Sequence, residues 1–147
     1  MTKYKRILAF DFGLKRIGVA AGQTVTHSAR PLTTVSANNG EPQWATIDKL
    51  IAEWSPQLLV VGNPLNMNGT EQKITQNVKK FSTALHQRYA LPVQLFDERL
   101  TTIEARSRIF DKGGYKALQK NQIDAEAAVI ILEAWMHAQE SANTNPK

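Results

Sequence analysis

Cysteine is absent from the 147 residues. Its absence excludes a disulfide framework, a thiolate metal centre and Cys nucleophile chemistry, and makes a reducing cytoplasm the simplest setting. Long hydrophobic runs are also missing, and no stretch is long enough to span a bilayer, so no membrane partner is expected. The basic start Met1-Thr2-Lys3-Tyr4-Lys5-Arg6 leads into an apolar segment that Asp11 and Lys15 interrupt, which does not make a signal-peptide core. Histidine is sparse: His27, His86 and His137 are scattered without ligand spacing and carry no expected catalytic role. Acid is the minority charge, with 13 Asp and Glu against 18 Lys and Arg and a net charge of +5. Such a balance suits a polyanionic partner, because clustered Lys and Arg displace counterions from phosphates. A solvated basic surface with no such partner has the same composition.

What is present reads as one domain over residues 1–141, with Ala142 to Lys147 a frayed polar tail. Arg6 to Phe12, Arg16 to Gly22 and Ala29 to Val35 read as three strands on short turns, an antiparallel meander. Pro31 places the third at an edge, since proline removes a ladder hydrogen bond. Asn38-Asn39-Gly40-Glu41-Pro42 reads as a loop. Trp44, Ile47, Leu50, Ile51 and Trp54 recur at helical spacing until Ser55-Pro56 ends the run. Leu58 to Val61 is continuously apolar, as for a central parallel strand covered on both faces. A helix from Glu71 to Tyr89, a strand from Val93 to Phe96, a helix from Thr102 to Phe110 and a last helix from Ile123 to Ser141 complete the pattern. The expected fold is α/β of ribonuclease H-like architecture: a mixed five-stranded sheet, antiparallel in its first three strands and then parallel through crossovers, flanked by helices.

Three carboxylates stand at element ends. Asp11 closes the apolar run Ile7-Leu8-Ala9-Phe10, Glu98 follows the strand-like Val93-Gln94-Leu95, and Asp124 opens the Ala-rich Asp124-Ala125-Glu126-Ala127-Ala128. If folding gathers them they can hold a divalent metal, and phosphodiester hydrolysis becomes the leading expectation. Each also has a plainer reading. Asp11 before Gly13 suits a turn; Asp124 three residues after Asn121 resembles a capping box; Glu98 beside Arg99 suits a solvated ion pair. Asp97 is a rival ligand to Glu98. Small side chains at Ala127 and Ala128 would let the last helix lie close to the sheet and bring Asp124 toward Asp11. Clustered acids raise one another's pKa, so Arg99 or Lys15 is expected to neutralise them in part.

The segments Ala9-Phe10-Asp11-Phe12-Gly13, Arg16-Ile17-Gly18-Val19-Ala20, Val61-Gly62-Asn63-Pro64-Leu65, Asp97-Glu98-Arg99-Leu100-Thr101-Thr102 and Asp124-Ala125-Glu126-Ala127-Ala128 together resemble the YqgF family across almost the whole chain. That family is similar to Holliday-junction resolvases of the RuvC type and is thought to mature the 5′ end of pre-16S ribosomal RNA. The resemblance implies a metal-dependent nuclease with Asp11, Glu98 and Asp124 as catalytic acids and ligands of Mg²⁺ or Mn²⁺, two ions in the usual mechanism. Junction resolvases carry their second acid where this chain has Gly62-Asn63, without a carboxylate, so Glu98 would have to take its place.

The implied partner is nucleic acid, an rRNA precursor or branched DNA, with a homodimer as in resolvases of similar fold. Candidate contacts are Lys15, Arg16, Asn63, Asn66, Arg99, Thr101 and Thr102, together with Arg106, Lys112, Tyr115, Lys116 and Lys120 of a basic stretch hinged at Gly113-Gly114. Thr101 and Thr102 serve equally as helix caps. Two rivals remain: an RNA-binding ribosome-assembly or transcription factor without turnover, and a nucleotide phosphatase or kinase-like protein sharing the Asp11-Phe12-Gly13 turn. The second needs two such domains to clamp a nucleotide, and one is available.

Overall fold

The computed structural model describes residues 3–66, 68–101 and 120–144. The meander comes first: β1 (Arg6–Asp11), β2 (Arg16–Gln23) and β3 (Ser28–Asn38), paired antiparallel in sequence order. A two-residue strand β4 (Glu41–Pro42) follows, then α1 (Trp44–Trp54), β5 (Leu58–Asn63), α2 (Thr75–Tyr89), β6 (Val93–Asp97) and α3 (Lys120–Thr144). A 3-10 turn, Glu98–Leu100, leaves β6. The sheet order is β4-β3-β2-β1-β5-β6, with β5 parallel to both β1 and β6. This is the expected mixed topology, and β5 is flanked and buried as its unbroken apolar run requires.

The sheet has six strands where five were expected. Asn39 and Gly40 both take positive φ, 52° and 89°, which turns the chain back on itself and pairs Glu41 and Pro42 with Asn38 and Ala37. That pairing covers only the end of β3. Pro31 stands on the uncovered part, where the register with β2 slips between Val19 and Ala20 and leaves Leu32 as the extra residue of a bulge. The second helix begins at Thr75 rather than Glu71. Thr75 is fully buried, its hydroxyl donates to Pro64 O at 3.1 Å and accepts from Gln72 N at 3.0 Å, and these bonds hold the preceding residues in a loop. Leu65 and Glu71 bridge across that loop, and Glu71 is paired with Lys79. The expected helix over 102–110 lies outside the described residues.

Two apolar layers sandwich the sheet. On one face Leu8, Phe10, Ile17, Val19, Leu59 and Val61 pack against Ile47 and Leu50 of α1 and Val78, Phe81 and Leu85 of α2. On the other, Ile7, Ala9, Ala20, Leu58, Val60 and Phe96 meet Ala128, Ile131, Leu132 and Trp135 of α3. The indole of Trp135 donates to Gln94 Oε1 at 2.9 Å, so the helix is tied to β6 as well as packed on the sheet.

Candidate active site

Side chains alternate along a strand, and that period decides which residues share the α3 face. Ile7 and Ala9 lie on it, so Asp11 follows; Leu58 and Val60 put Gly62 there, Ala20 puts Gly18 there, and Phe96 lies on it near the end of β6. Asp11, at the carboxyl end of β1, therefore emerges on the face that α3 covers. Asp11 pairs across the ladder with Gly18. At Gly18 the helix comes in close: a Cβ there would lie 1.9 Å from the Asp124 carbonyl oxygen and 2.9 Å from Ala125 N. Glycine is the only residue that permits this approach, and it delivers Asp124 beside Asp11. The close contact falls at Asp124 and Ala125, with Ala125 and Ala128 buried and Ala127 half-buried, so Ala127 is not part of the packed seam as expected. Asn121 lies inside α3, which starts at Lys120, so the capping-box reading of Asp124 falls.

Glu98 reaches the same place from the opposite side. Asp97 caps the 3-10 turn, accepting Arg99 N at 2.9 Å, and this bends the chain after β6. Thr101 closes the turn, donating its hydroxyl to Glu98 O at 2.8 Å. The Glu98 side chain lies over Gly62, where a Cβ would stand 3.2 Å from its Cγ and 3.1 Å from its Cδ.

Burial, then the nearby charges of Glu98 and Asp124, push the Asp11 carboxyl up to about 8. The three acids thus form one electrostatic cluster, left open: among the described residues no three His, Cys, Asp or Glu side chains are close enough to hold an ion as they stand. Arg16 is the cation at the cluster that pairs with Asp124, its Nε donating to Asp124 Oδ2 at 2.9 Å. The expected neutralising partners were Arg99 and Lys15. Arg99 instead grips Asp97, with Nη2 to Oδ2 at 2.6 Å and Nε at 3.0 Å from both oxygens, and holds that carboxyl below its usual range. Lys15 is exposed, and its carbonyl accepts Ala37 N at 2.8 Å. Asp97, the rival ligand, is committed to Arg99.

Among the candidate nucleic-acid contacts, Arg16 opens β2 and reaches Asp124, Lys15 precedes it in the β1–β2 turn, and Arg99 and Thr101 belong to the turn after β6 that carries Glu98. The Arg99 guanidinium also runs beside Gly69, 3.5 Å from where a Cβ there would stand. Asn66 is spent inside its own loop, its amide nitrogen donating to Thr70 Oγ1 at 2.9 Å. Asn63 ends β5 on the α1/α2 side of the alternation, and its Oδ1 is buried with no hydrogen-bond partner among the described residues. Thr102, Arg106, Lys112, Tyr115 and Lys116 lie outside the described residues, as does the side chain of Lys120. A cavity of about 210 Å³, lined by Arg6, Ala21, Arg30 and Trp54 among others, opens at the other end of β1. It is remote from the acids, which stand instead at the carboxyl edge of the sheet, where open α/β sheets bind ligands.

The family model RuvX, described as Holliday junction resolvase, matches residues 5–138. A Pectobacterium carotovorum protein named "Putative pre-16S rRNA nuclease" is 55% identical over 137 residues, covering 93% of this chain and 99% of that protein. A protein of the same name from Photorhabdus laumondii is 56% identical over 131 residues, covering 89% and 94%. Among solved structures, T. thermophilus RuvC in complex with a Holliday junction substrate aligns with a TM-score of 0.58 at 15% identity, covering 92% of this chain and 96% of that one. The yeast mitochondrial Holliday junction resolvase aligns at 0.57 and 11% identity, covering 95% and 80%. The two structures establish the ribonuclease H-like fold.

Proposed function

The chain belongs to the RuvX (YqgF) family, described as Holliday junction resolvase, and on that premise we propose a metal-dependent nuclease that matures the 5′ end of pre-16S ribosomal RNA. It is a hydrolase of nucleic-acid phosphodiester bonds. Asp11, Glu98 and Asp124 would hold Mg²⁺ or Mn²⁺. The observation behind this reading is their gathering on one sheet face, where burial and mutual repulsion keep Asp11 protonated up to about pH 8. A cluster of that kind is costly without cations, and its donors are all hard carboxylate oxygens, the ligands these ions prefer. Bound there, such ions would supply Lewis-acid stabilisation of the charge that develops on the attacking and leaving oxygens.

The protein's own groups do the rest. Asp11, protonated at neutral pH without metal, would have to release its proton to solvent to serve as a ligand. Arg16 hands Asp124 to the site and turns its guanidinium to the substrate phosphate. Lys15 and Arg99 flank the strand as it crosses the carboxyl edge of the sheet. A cytoplasmic setting fits such a substrate, and no helix among the described residues is long and apolar enough to cross a membrane.

Branched DNA is the second reading, favoured by the family description. A junction has two equivalent strands to cut, so that activity calls for a homodimer. The experiment compares the wild type with Asp11→Asn on an end-labelled 16S precursor and on a four-way DNA junction, each with Mn²⁺ and with chelator. Metal-dependent cleavage of the precursor, abolished in a folded Asp11→Asn protein, is the expected result. Preferential cutting of the junction would move the substrate to DNA, and equal cleavage by both proteins would remove Asp11 from the mechanism.

A further inference from the structure

We propose that Gly62 is a positioning residue whose missing side chain is the seat of the Glu98 carboxylate. The inference rests on the metal-nuclease reading and deepens it. Gly62 and Phe96 are partners in the β5–β6 ladder, and Asn63 pairs with Asp97, so the chain passes Gly62 immediately before the turn that carries Glu98. Gly62 is buried, in a strand that is otherwise Leu-Leu-Val-Val-Gly-Asn, and no positive φ requires glycine there. The requirement is space. A Cβ at 62 would stand 2.6 Å from Ile131 Cδ1 of α3, 3.1 Å from Glu98 Cδ and 3.2 Å from Glu98 Cγ.

These contacts differ in kind. Ile131 meets the site with the far end of a flexible side chain, which a change of rotamer can withdraw. Glu98 meets it with its stem and carboxyl carbon. Its backbone is fixed by the Asp97 cap and by Thr101, so a side chain at 62 would move the carboxyl group itself. Metal sites tolerate ligand displacements of only a few tenths of an ångström. Glu98 thus crosses from β6 to lie over β5, and the glycine is what admits it.

The test separates crowding of Ile131 from displacement of Glu98. Gly62→Ala/Ile131→Val exchanges one carbon for another across the contact, and Gly62→Val/Ile131→Ala exchanges three for three, so packing volume is conserved. Thermal unfolding establishes that each variant is folded, and Mn²⁺ titration by calorimetry reads the site without substrate. We expect Mn²⁺ affinity to fall about tenfold or more, the range for misplaced ligand orientation, and to fall no further when either pair is added to Glu98→Ala. Wild-type Mn²⁺ affinity in a folded Gly62 variant would overturn the proposal, as would an equal loss in the Glu98→Ala background. If Glu98→Ala alone binds Mn²⁺ like the wild type, the metal reading fails first and takes the seat with it.

Discussion

Arg16 Nε lies 2.9 Å from Asp124 Oδ2, joining the first residue of β2 to the second turn of α3 across 108 positions of sequence. The pair is half-exposed, with 43% and 23% of the two side chains accessible, so it adds little to stability. Its effect is on the site: a guanidinium occupies one of three clustered carboxylates that a cation would otherwise share. On the proposed reading, Arg16 and a divalent ion would compete for Asp124.

Removing the competitor should separate binding from turnover. For Arg16→Ala we expect stability within about 1 kcal/mol of the wild type and Mn²⁺ affinity raised several-fold in calorimetric titration. Cleavage of the 16S precursor should fall at saturating metal, because the phosphate loses its cationic partner. Unchanged metal affinity would show that Asp124 is not a ligand that Arg16 withholds.

Asp11 makes metal-free stability depend on pH. Its carboxyl titrates at 3.8 when unfolded and at about 8 when folded, so between these values the native state binds the extra proton. Stability is fully present below pH 3.8 and declines as pH rises toward 8, at most about 1.4 kcal/mol per pH unit from this group. Urea denaturation of chelator-treated protein between pH 5 and about 9 should show that slope, and Asp11→Asn should flatten it and be the more stable protein at the alkaline end. Mn²⁺ binding at pH 7 should release close to one proton, seen as heats that vary with the ionisation enthalpy of the buffer.

Much of this arrangement was legible in the chain because it rests on short-range patterns. The helix Trp44–Trp54 follows from apolar spacing and the Ser55-Pro56 stop, and β5 from four apolar residues in a row. Asp11 and Glu98 stand where β1 and β6 end, as the pattern implies, whereas Asp124 lies in the second turn of α3 rather than at its start. What escaped depends on contacts between distant segments. Arg16 meets Asp124 across 108 positions, so the expected neutralising role of Lys15 and Arg99 misses it; Arg99 is a local exception, because its spacing alone does not choose between Asp97 and Glu98. The start of α2 is displaced by a hydrogen bond from Thr75 to Pro64, 11 residues away. The sixth strand is only two residues long. Gly18 and Gly62 carried the one readable signal that was missed: glycine inside an apolar strand marks close approach by another segment.

Asp97 and Glu98 are adjacent acids with opposite assignments. Asp97 is bound to Arg99 and caps the turn, whereas Glu98 lies over Gly62 among the acids. Asp97→Ala should cost roughly 1 kcal/mol through the lost cap and leave Mn²⁺ affinity within twofold. Glu98→Gln should leave stability nearly unchanged and lower Mn²⁺ affinity at least tenfold. The reverse pattern in paired calorimetric and urea titrations would make Asp97 the ligand.

Gly18 tests whether α3 must touch the sheet for the acids to meet. A Cβ there would fall 1.9 Å from the Asp124 carbonyl oxygen and 2.3 Å from its carbon, and backbone cannot withdraw as a side-chain tip can. The helix is also fixed by Leu132, Trp135 and Met136 against the sheet, so Gly18→Ala has to lift its first turns or distort β2. Overpacking of this kind costs about 3 kcal/mol or more, measurable as a lowered urea midpoint. The displaced turn carries Asp124, so Mn²⁺ affinity should fall as well, even under conditions where the variant is fully folded. A Gly18→Ala protein with wild-type stability and metal affinity would mean that α3 does not rest on β2 at this point, and that Asp124 reaches the cluster by some other route.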